Sequence, residues 1–451
     1  MNLHRNKIIF LGIAGVIALL IVFMIINVNK TNEQKRNTKR VKEFSIWTTG
    51  DADNKVSLDA LIDKFKEENG RYKNTDIEIK MFPDYLSYKN TLKSAIINDK
   101  GPDVFSLNNM DINDEVSGKI MGITAEDINP DYIRENFVGV FGRDLILSSN
   151  DGENNIEFLA GVPLGFDALS LIYNTRYLRG KDLDSWAGIN STISDLKEEK
   201  PELVPIALGR GSGITNAVDI FSQMLMQDGV DSAIDIGGKV DQTILRYSEF
   251  GSTRGENKFD KLSTFIKNGQ DDIDFLTSGK VAIIAGYLKD FKKITEKANS
   301  STKRFLRAGT FPAYTTKDTP NLISYNYFLI NKDSENEELA KDLFRFFVSK
   351  DGQRAYAENF PYSLPADLDI LAEIEDDKIN DKLVIKYSNF FDSQVVYSSF
   401  NKGYIELYNT HLPLVLDSLN IKNEFTNLSS KILCVYNKVA KFQNLEASCG
   451  Y

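Results

Sequence analysis

Only two histidines occur among the 451 residues, His4 and His411, and they stand near opposite ends of the chain. A Ser-His-Asp relay or a His-bearing metal cluster needs imidazole as base or ligand. Such sites have almost no material here, so no catalytic residue, metal or cofactor is expected. The 64 carboxylates leave a two-carboxylate glycosidase open by count, although no spacing singles out a pair. Gly209-Arg-Gly-Ser-Gly213 lies between a strand-like and a helix-like run, where backbone N–H groups could cradle a phosphate. Its G-x-G-x-G spacing matches neither the P-loop nor the dinucleotide fingerprint. A cleft-lining loop with Arg210 turned toward a ligand is the better expectation. What remains is the chemistry of reversible capture. Trp47 and Thr48, then Asn108, Asn109 and Asp111, bring an aromatic face, a hydroxyl, amides and a carboxylate to the ends of strand-like runs. Amides and carboxylates bond hydroxyl groups in pairs, although Asn after a strand also serves simply to turn the chain.

The elements that must position these residues are legible. Phe44-Ser-Ile-Trp-Thr-Thr is a short β-rich run, and Leu58, Leu61, Ile62 and Phe65 then recur at the helical period. Asp76–Phe82 alternates like a strand, Tyr85, Tyr88, Leu92, Ala95 and Ile96 restore the helical period, and Val104–Leu107 is a third strand after the turn Lys100–Asp103. Asp103 is read as fixing that turn. Strands alternating with helices through short loops give right-handed βαβ units on a parallel sheet. Ligands on such sheets bind beyond the carboxyl ends of the strands, where Trp47, Thr48, Asn108 and Asn109 fall.

A hydrophobic content of 42% with 26% charged residues describes a folded chain, long enough for two or three cores. Ile8 to Ile26 is apolar over about the 20 residues that cross a bilayer as a helix. The stretch at its end, Met24 to Lys30, holds no small-x-small cleavage site and no cysteine to acylate, which favours an uncleaved anchor over a long signal peptide. The basic residues Lys30 to Lys42 after the span argue for a cytoplasmic body, but long domains translocate largely regardless of charge. An extracytoplasmic body on a single-pass N-terminal anchor is expected, with the basic stretch against acidic headgroups. Residues 1–42 hold eight Lys/Arg against one acid, Glu33, so the formal charge of −10 for the whole chain becomes −17 over residues 43–451. So acidic a body repels nucleic acid and anionic lipid, and points to a small, neutral or cationic ligand. The two cysteines, Cys434 and Cys449, are a candidate disulfide pinning the tail, worth about 3 kcal/mol by loop closure; two unpaired thiols are the alternative.

After Asn109, Phe158–Gly165 leads into the strand Ala168–Asn174, and a second αβ series follows. It carries helices near Ser191–Lys200 and Asn216–Gln227, the strand Val204–Leu208, and a turn into a strand over Phe275–Gly286. Further strands are expected at Arg307–Thr315 and Leu322–Asn331. Ser334 and Glu337 read as a capping box for a helix bearing Leu339, Leu343, Phe346 and Phe347. Trp186, amid polar text, is placed on a lobe surface, and Tyr173 in the core. From Asp367 the text is mainly helical.

Five collinear segments carry a family resemblance: Phe44-Ser-Ile-Trp-Thr-Thr; Gly101-Pro-Asp-Val-Phe; Val162-Pro-Leu-Gly-Phe-Asp with Leu171-Ile-Tyr-Asn; Phe275-Leu-Thr-Ser-Gly-Lys-Val-Ala; and Phe328-Leu-Ile-Asn-Lys-Asp-Ser through Pro361-Tyr-Ser-Leu-Pro-Ala366. Together they resemble extracellular solute-binding protein family 1, the maltose-binding-like substrate-binding proteins of ABC importers. The resemblance implies an α/β, two-lobed periplasmic-binding-protein-like (type II) fold with a hinge and interlobe cleft, here preceded by one transmembrane helix. The implied domains are an anchor and linker over 1–42, a first lobe over 43–155 with a return over 283–322, and a second lobe over 156–282 and 323–451 with a helical C-terminal extension. It further implies capture of a small ligand, a carbohydrate foremost, and delivery to ABC permease subunits. An anchored glycosidase and a non-transport receptor are the alternatives. By position in the family pattern, Trp47 becomes a stacking platform for a sugar, with a core tryptophan as the alternative, and Asn108, Asn109 and Asp111 become polar contacts. Tyr287 becomes a cleft aromatic, with Thr48, Asp167, Arg210, Tyr325, Asn326 and Tyr362 completing the expected set. The retained anchor and the long aromatic tail after Ala366 depart from the family pattern.

Overall fold

The computed structural model describes residues 43–109, 117–151, 154–229, 238–251, 271–314, 321–377, 383–384, 410–417 and 421–439. The expected anchor, residues 1–42, lies outside them, as do Asp111 and Cys449. Among the described residues no helix is long and apolar enough to cross a membrane. Cys434 is half-buried and disulfide-bonded.

Strand β1 (Phe44–Thr49) alternates buried Phe44, Ile46 and Thr48 with half-buried Ser45, Trp47 and Thr49. Asp51 ends the following loop and starts helix Ala52–Glu68: its carboxylate accepts the Asn54 amide, and the Asn54 side chain accepts the Asp51 amide. That reciprocal pair satisfies two N–H groups the first turn would otherwise leave open. Leu58, Leu61, Ile62 and Phe65 form the buried stripe. Strand β2 (Ile77–Phe82), helix Tyr85–Ile97 and strand β3 (Val104–Asn108) complete the parallel set, with β1 between β2 and β3. The Asp103 side chain ties the turn to two distant segments, accepting the Ser45 amide at 2.9 Å and the Ser334 hydroxyl at 2.5 Å.

A hairpin, β4 (Ile146–Asp151) with β5 (Asn154–Leu159), leads through β6 (Val162–Pro163) into β7 (Gly165–Asn174). Strand β7 is buried along nearly its whole length, as the middle of a sheet covered on both faces requires. Strands β8 (Val204–Ala207), β9 (Val281–Tyr287) and β10 (Leu306–Thr310) join it, then β11 (Ile323–Ser324), β12 (Asn326–Ile330), β13 (Leu364–Pro365) and β14 (Leu383–Val384) follow along the chain. The first sheet runs β2-β1-β3-β12-β6 and the second β14-β10-β7-β9-β8, with β11 and β13 also paired to β7. Two α/β lobes result.

The chain crosses between lobes along β6–β7 and returns along β11–β12, side by side and antiparallel. Pairing passes from Pro163 with Tyr327 to Asp167 with Ser324, so three residues, 164–166, lie between the pairs on one strand and two, Tyr325 and Asn326, on the other. The crossing stretch that enters the second lobe is thus one residue longer than the one that returns. Gly165 sits inside the longer stretch, where an added Cβ would lie 2.2 Å from the Tyr356 ring and 2.4 Å from the Leu364 carbonyl. Strand β13 pairs with Gly165 and Phe166 and makes the crossing three strands wide.

The lobe boundaries differ from expectation. Residues 283–322 do not return to the first sheet, because β9 and β10 both pair with β7 in the second. The return is β12, and helices Glu337–Val348 and Lys350–Asn359 follow it onto the first lobe. Phe346 meets Phe65 at 5.7 Å, the Tyr72 hydroxyl bonds Asp342 at 2.7 Å, and the Ser57 hydroxyl bonds the Asn359 carbonyl at 2.8 Å. A fully apolar strand satisfies either sheet equally, so its pattern does not name its partner. The tail extends the second lobe: β14 pairs with β10, and Phe425 packs on Phe221 at 5.5 Å.

Two local expectations also change. Asn336, not Ser334, is the N-cap of helix Glu337–Val348, and its side chain makes no cap bond; the Ser334 hydroxyl accepts the Asn336 amide at 3.1 Å and donates to Asp103. Trp186 is buried, stacked on Tyr314 at 5.7 Å, with its Nε1 donating to Gln227 at 2.9 Å. It is a core residue, not a surface one.

Candidate functional site

Between the lobes lies a cleft of about 840 Å3, running from the end of β1 past the crossing strands to Tyr362. A second chamber of about 520 Å3 opens beside it. Both are lined by Tyr85, Asn108, Lys289 and Ser324, so the two adjoin. Volumes of this order hold small organic ligands.

The first lobe supplies Tyr85, Asn108 and Asn109 to the chamber. The Asn108 amide N–H donates to the Tyr85 hydroxyl at 3.0 Å, fixing the ring beside the strand end. The Asn108 side chain donates to Ser324 at 3.4 Å and to Asn326 at 3.3 Å. Asn109 is 3% exposed, and its backbone N–H donates to the Tyr325 carbonyl at 2.9 Å. Its side-chain oxygen accepts the Tyr325 amide at 3.3 Å, while its Nδ2 has no partner among the described residues. A buried amide with a free donor is costly unless a ligand or water completes it.

The second lobe supplies Tyr287, Lys289 and the loop Gly211–Val218. The Lys289 ammonium lies over the Tyr287 ring, 4.8 Å from its centroid. Thr215 is anchored by Asp272, which accepts its amide at 3.2 Å and its hydroxyl at 2.6 Å. Burial raises the Asp272 carboxyl to about 6 in spite of those bonds. On the loop's other side, the Gly211 and Ser212 amides donate to the two oxygens of Asp417, each at 2.9 Å. The glycine-rich loop therefore does bind an anion through its backbone, and the anion is the chain's own carboxylate.

Asp167 lies at the crossing and accepts the amides of Leu288 at 2.9 Å and Lys289 at 3.3 Å, at the start of helix Leu288–Lys297. Desolvation pushes its carboxyl up to about 7, against the pull of Lys289 and of the two amides. Two further ion pairs reach across the cleft mouth, Lys292 with Asp53 and Lys293 with Asp51 at 3.6 Å. Among the described residues no group of three His, Cys, Asp or Glu side chains could hold a metal ion.

Of the expected residues, Thr48, Asn108, Asp167, Tyr325, Asn326 and Tyr362 line the larger cleft, and Asn108, Asn109 and Tyr287 line the chamber. Trp47 lines neither. Alternation along β1 turns it away from buried Thr48, against Phe82 at 5.6 Å with the Lys80 ammonium 4.2 Å from its ring centroid. Arg210 also lines neither; its carbonyl accepts the Tyr247 hydroxyl at 2.7 Å. Tyr85, Thr215, Asn216, Asp219 and Lys289 were not expected. Tyr85 was findable, since it opens the helix three residues after β2 and so stands near a carboxyl strand end; of the expected cleft-lining loop 209–213, Gly211 does line the chamber.

A family model of bacterial extracellular solute-binding proteins matches residues 60–383. The chain belongs to that family. Similar solved structures include the sugar-binding protein MalE of Xanthomonas citri, 14% identical with a TM-score of 0.63, covering 89% of this chain and 100% of that one. Another is the Thermus thermophilus maltotriose-binding protein bound with maltotriose, 14% identical with a TM-score of 0.61, covering 86% and 99%. A third is the substrate-binding protein Lmo0181 of Listeria monocytogenes in complex with cycloalternan, 15% identical with a TM-score of 0.59, covering 90% and 100%. No curated protein matches the sequence. This solute-binding protein shares its fold with these binding proteins, and neither the family nor these neighbours are enzymes.

Proposed function

We propose that this solute-binding protein captures a small neutral carbohydrate between its lobes and delivers it to an ABC-type permease, held at the outer membrane face by residues 8–26. The observation that carries the reading is the chamber itself. Tyr85 from one lobe and Tyr287 from the other line it together with the amides of Asn108, Asn109 and Asn216. Aromatic faces accept the C–H surfaces of pyranose rings, and amides bond their hydroxyl groups in pairs. The maltotriose and cycloalternan named for the structural neighbours are of the same class. Closure about the three-strand crossing would bring both tyrosines onto the ligand, and the closed form would be the one a permease accepts.

A thermal-shift screen of the detergent-solubilised chain against sugars, peptides, polyamines and phosphate compounds tests the reading. At a hundredfold excess over Kd a true ligand adds about 2.7 kcal/mol. The expected result is an upward shift with one or more sugars; a shift with peptides or polyamines alone would replace carbohydrate as the ligand class.

A further inference from the structure

The tail does more than enlarge the second lobe. Pro413 lines the chamber but not the larger cleft, and so does Gly211. The two backbones touch: a Cβ on Gly211 would stand 1.8 Å from the Pro413 carbonyl oxygen. Segment 410–417 is fastened there at both ends of its contact. Leu412, Val415 and Leu416 are buried, and Asp417 takes the Gly211 and Ser212 amides. Charge-assisted bonds of that kind are among the stronger ones in proteins. The four residues the two cavities share, Tyr85, Asn108, Lys289 and Ser324, mark where the chamber adjoins the larger cleft, and Pro413 is not one of them.

We propose that segment 410–417, through Pro413, is an end wall that makes the chamber read the terminus of a linear saccharide. The proposal rests on the carbohydrate reading above. A terminal sugar unit fills the chamber between Tyr85 and Tyr287, and any further units extend into the larger cleft. A cyclic saccharide has no terminus to insert and is excluded. The wall is a specificity determinant held in place by Asp417, a positioning residue that touches no ligand.

The test is calorimetric titration of the detergent-solubilised full chain with linear and cyclic saccharides matched in unit number and linkage. Maltohexaose with α-cyclodextrin is one pair, and linear isomalto- and alternan-type oligomers with their cyclic forms are others. At least one linear member should bind at least tenfold more tightly than its cyclic counterpart. Asp417→Ala frees the segment and should narrow that ratio while sparing the shorter linear sugars. If that variant does not fold, Pro413→Gly trims the wall without touching the anchor and takes its place. Equal binding of linear and cyclic forms by the wild-type chain overturns the end wall and leaves the carbohydrate reading standing. An unchanged ratio in the folded variant overturns the role of the segment. Silence toward every saccharide overturns both readings together.

Discussion

The Leu288 amide donates to the Asp167 carboxylate across 2.9 Å, tying the start of helix Leu288–Lys297 to the strand on which the chain enters the second lobe. One side chain thus sets the helix that carries Lys289 toward the ligand space and the Lys292 and Lys293 contacts to the opposite lobe.

Burial holds that carboxyl at about 7, against an ordinary 3.8. Between about pH 4 and pH 7 the folded chain keeps a proton that the unfolded chain has released, so stability falls as the pH rises. The contribution is complete below the unfolded value and gone above the folded one. Asp167→Asn stays neutral throughout and should lose this slope while still offering the helix an acceptor. Urea unfolding of both chains from pH 4 to pH 8 provides the check; parallel profiles would refute the assignment.

Tyr287→Ala should weaken sugar binding by about 1–3 kcal/mol, the worth of one apolar face kept from water. Trp47→Ala should leave affinity unchanged and lower the melting temperature, because its ring packs on Phe82 outside both cavities. Isothermal titration and a melting curve on the two variants separate the roles. A loss of affinity in Trp47→Ala would return that residue to the site.

At the crossing, the Tyr325 hydroxyl donates to Asp144 at 2.9 Å, with both groups buried. Tyr325→Phe removes the hydroxyl donor from a desolvated carboxylate, and the expected loss is about 1–3 kcal/mol. Denaturant unfolding measures it. A loss within error would mean that other donors hold Asp144 alone.

The pairs Lys292–Asp53 and Lys293–Asp51 join the lobes through side chains that are 41% to 71% exposed. Exposed pairs are weak and screened by salt. Asp51→Asn with Asp53→Asn should shift the free chain toward an opened form at low ionic strength and have little effect at high salt. Small-angle scattering at two salt concentrations reads the shift; identical profiles at low salt would remove these pairs from the closing equilibrium.

Most of the local structure was legible because each helix exposes a period and each strand end a change of composition. Leu58, Leu61, Ile62 and Phe65 announced one helix, and the turn at Asp103 announced β3. What stayed hidden was partnership. Strand β9 is buried at every position, so nothing in its text distinguishes one sheet from the other. The carboxyl-end rule located Trp47 correctly along the strand but says nothing of which face it occupies; alternation with Phe44, Ile46 and Thr48 carried that information. For Asn109 the end of β3 was enough, since the strand delivers it straight to the chamber. Asp417 lay beyond any local signal, being fixed by amides more than two hundred residues earlier in the chain.

The unequal count at the crossing, Leu164–Phe166 against Tyr325 and Asn326, puts the two sheets out of phase by one residue. Side chains in a strand change face with every step, so length here sets which side chains of β7 meet each of the two layers that cover its sheet. Removing Leu164 or Gly165 would exchange those two buried faces. Substitution can be absorbed by repacking; a one-residue deletion at this point would have to rebuild a core, and this short stretch should tolerate changes of identity far better than changes of length.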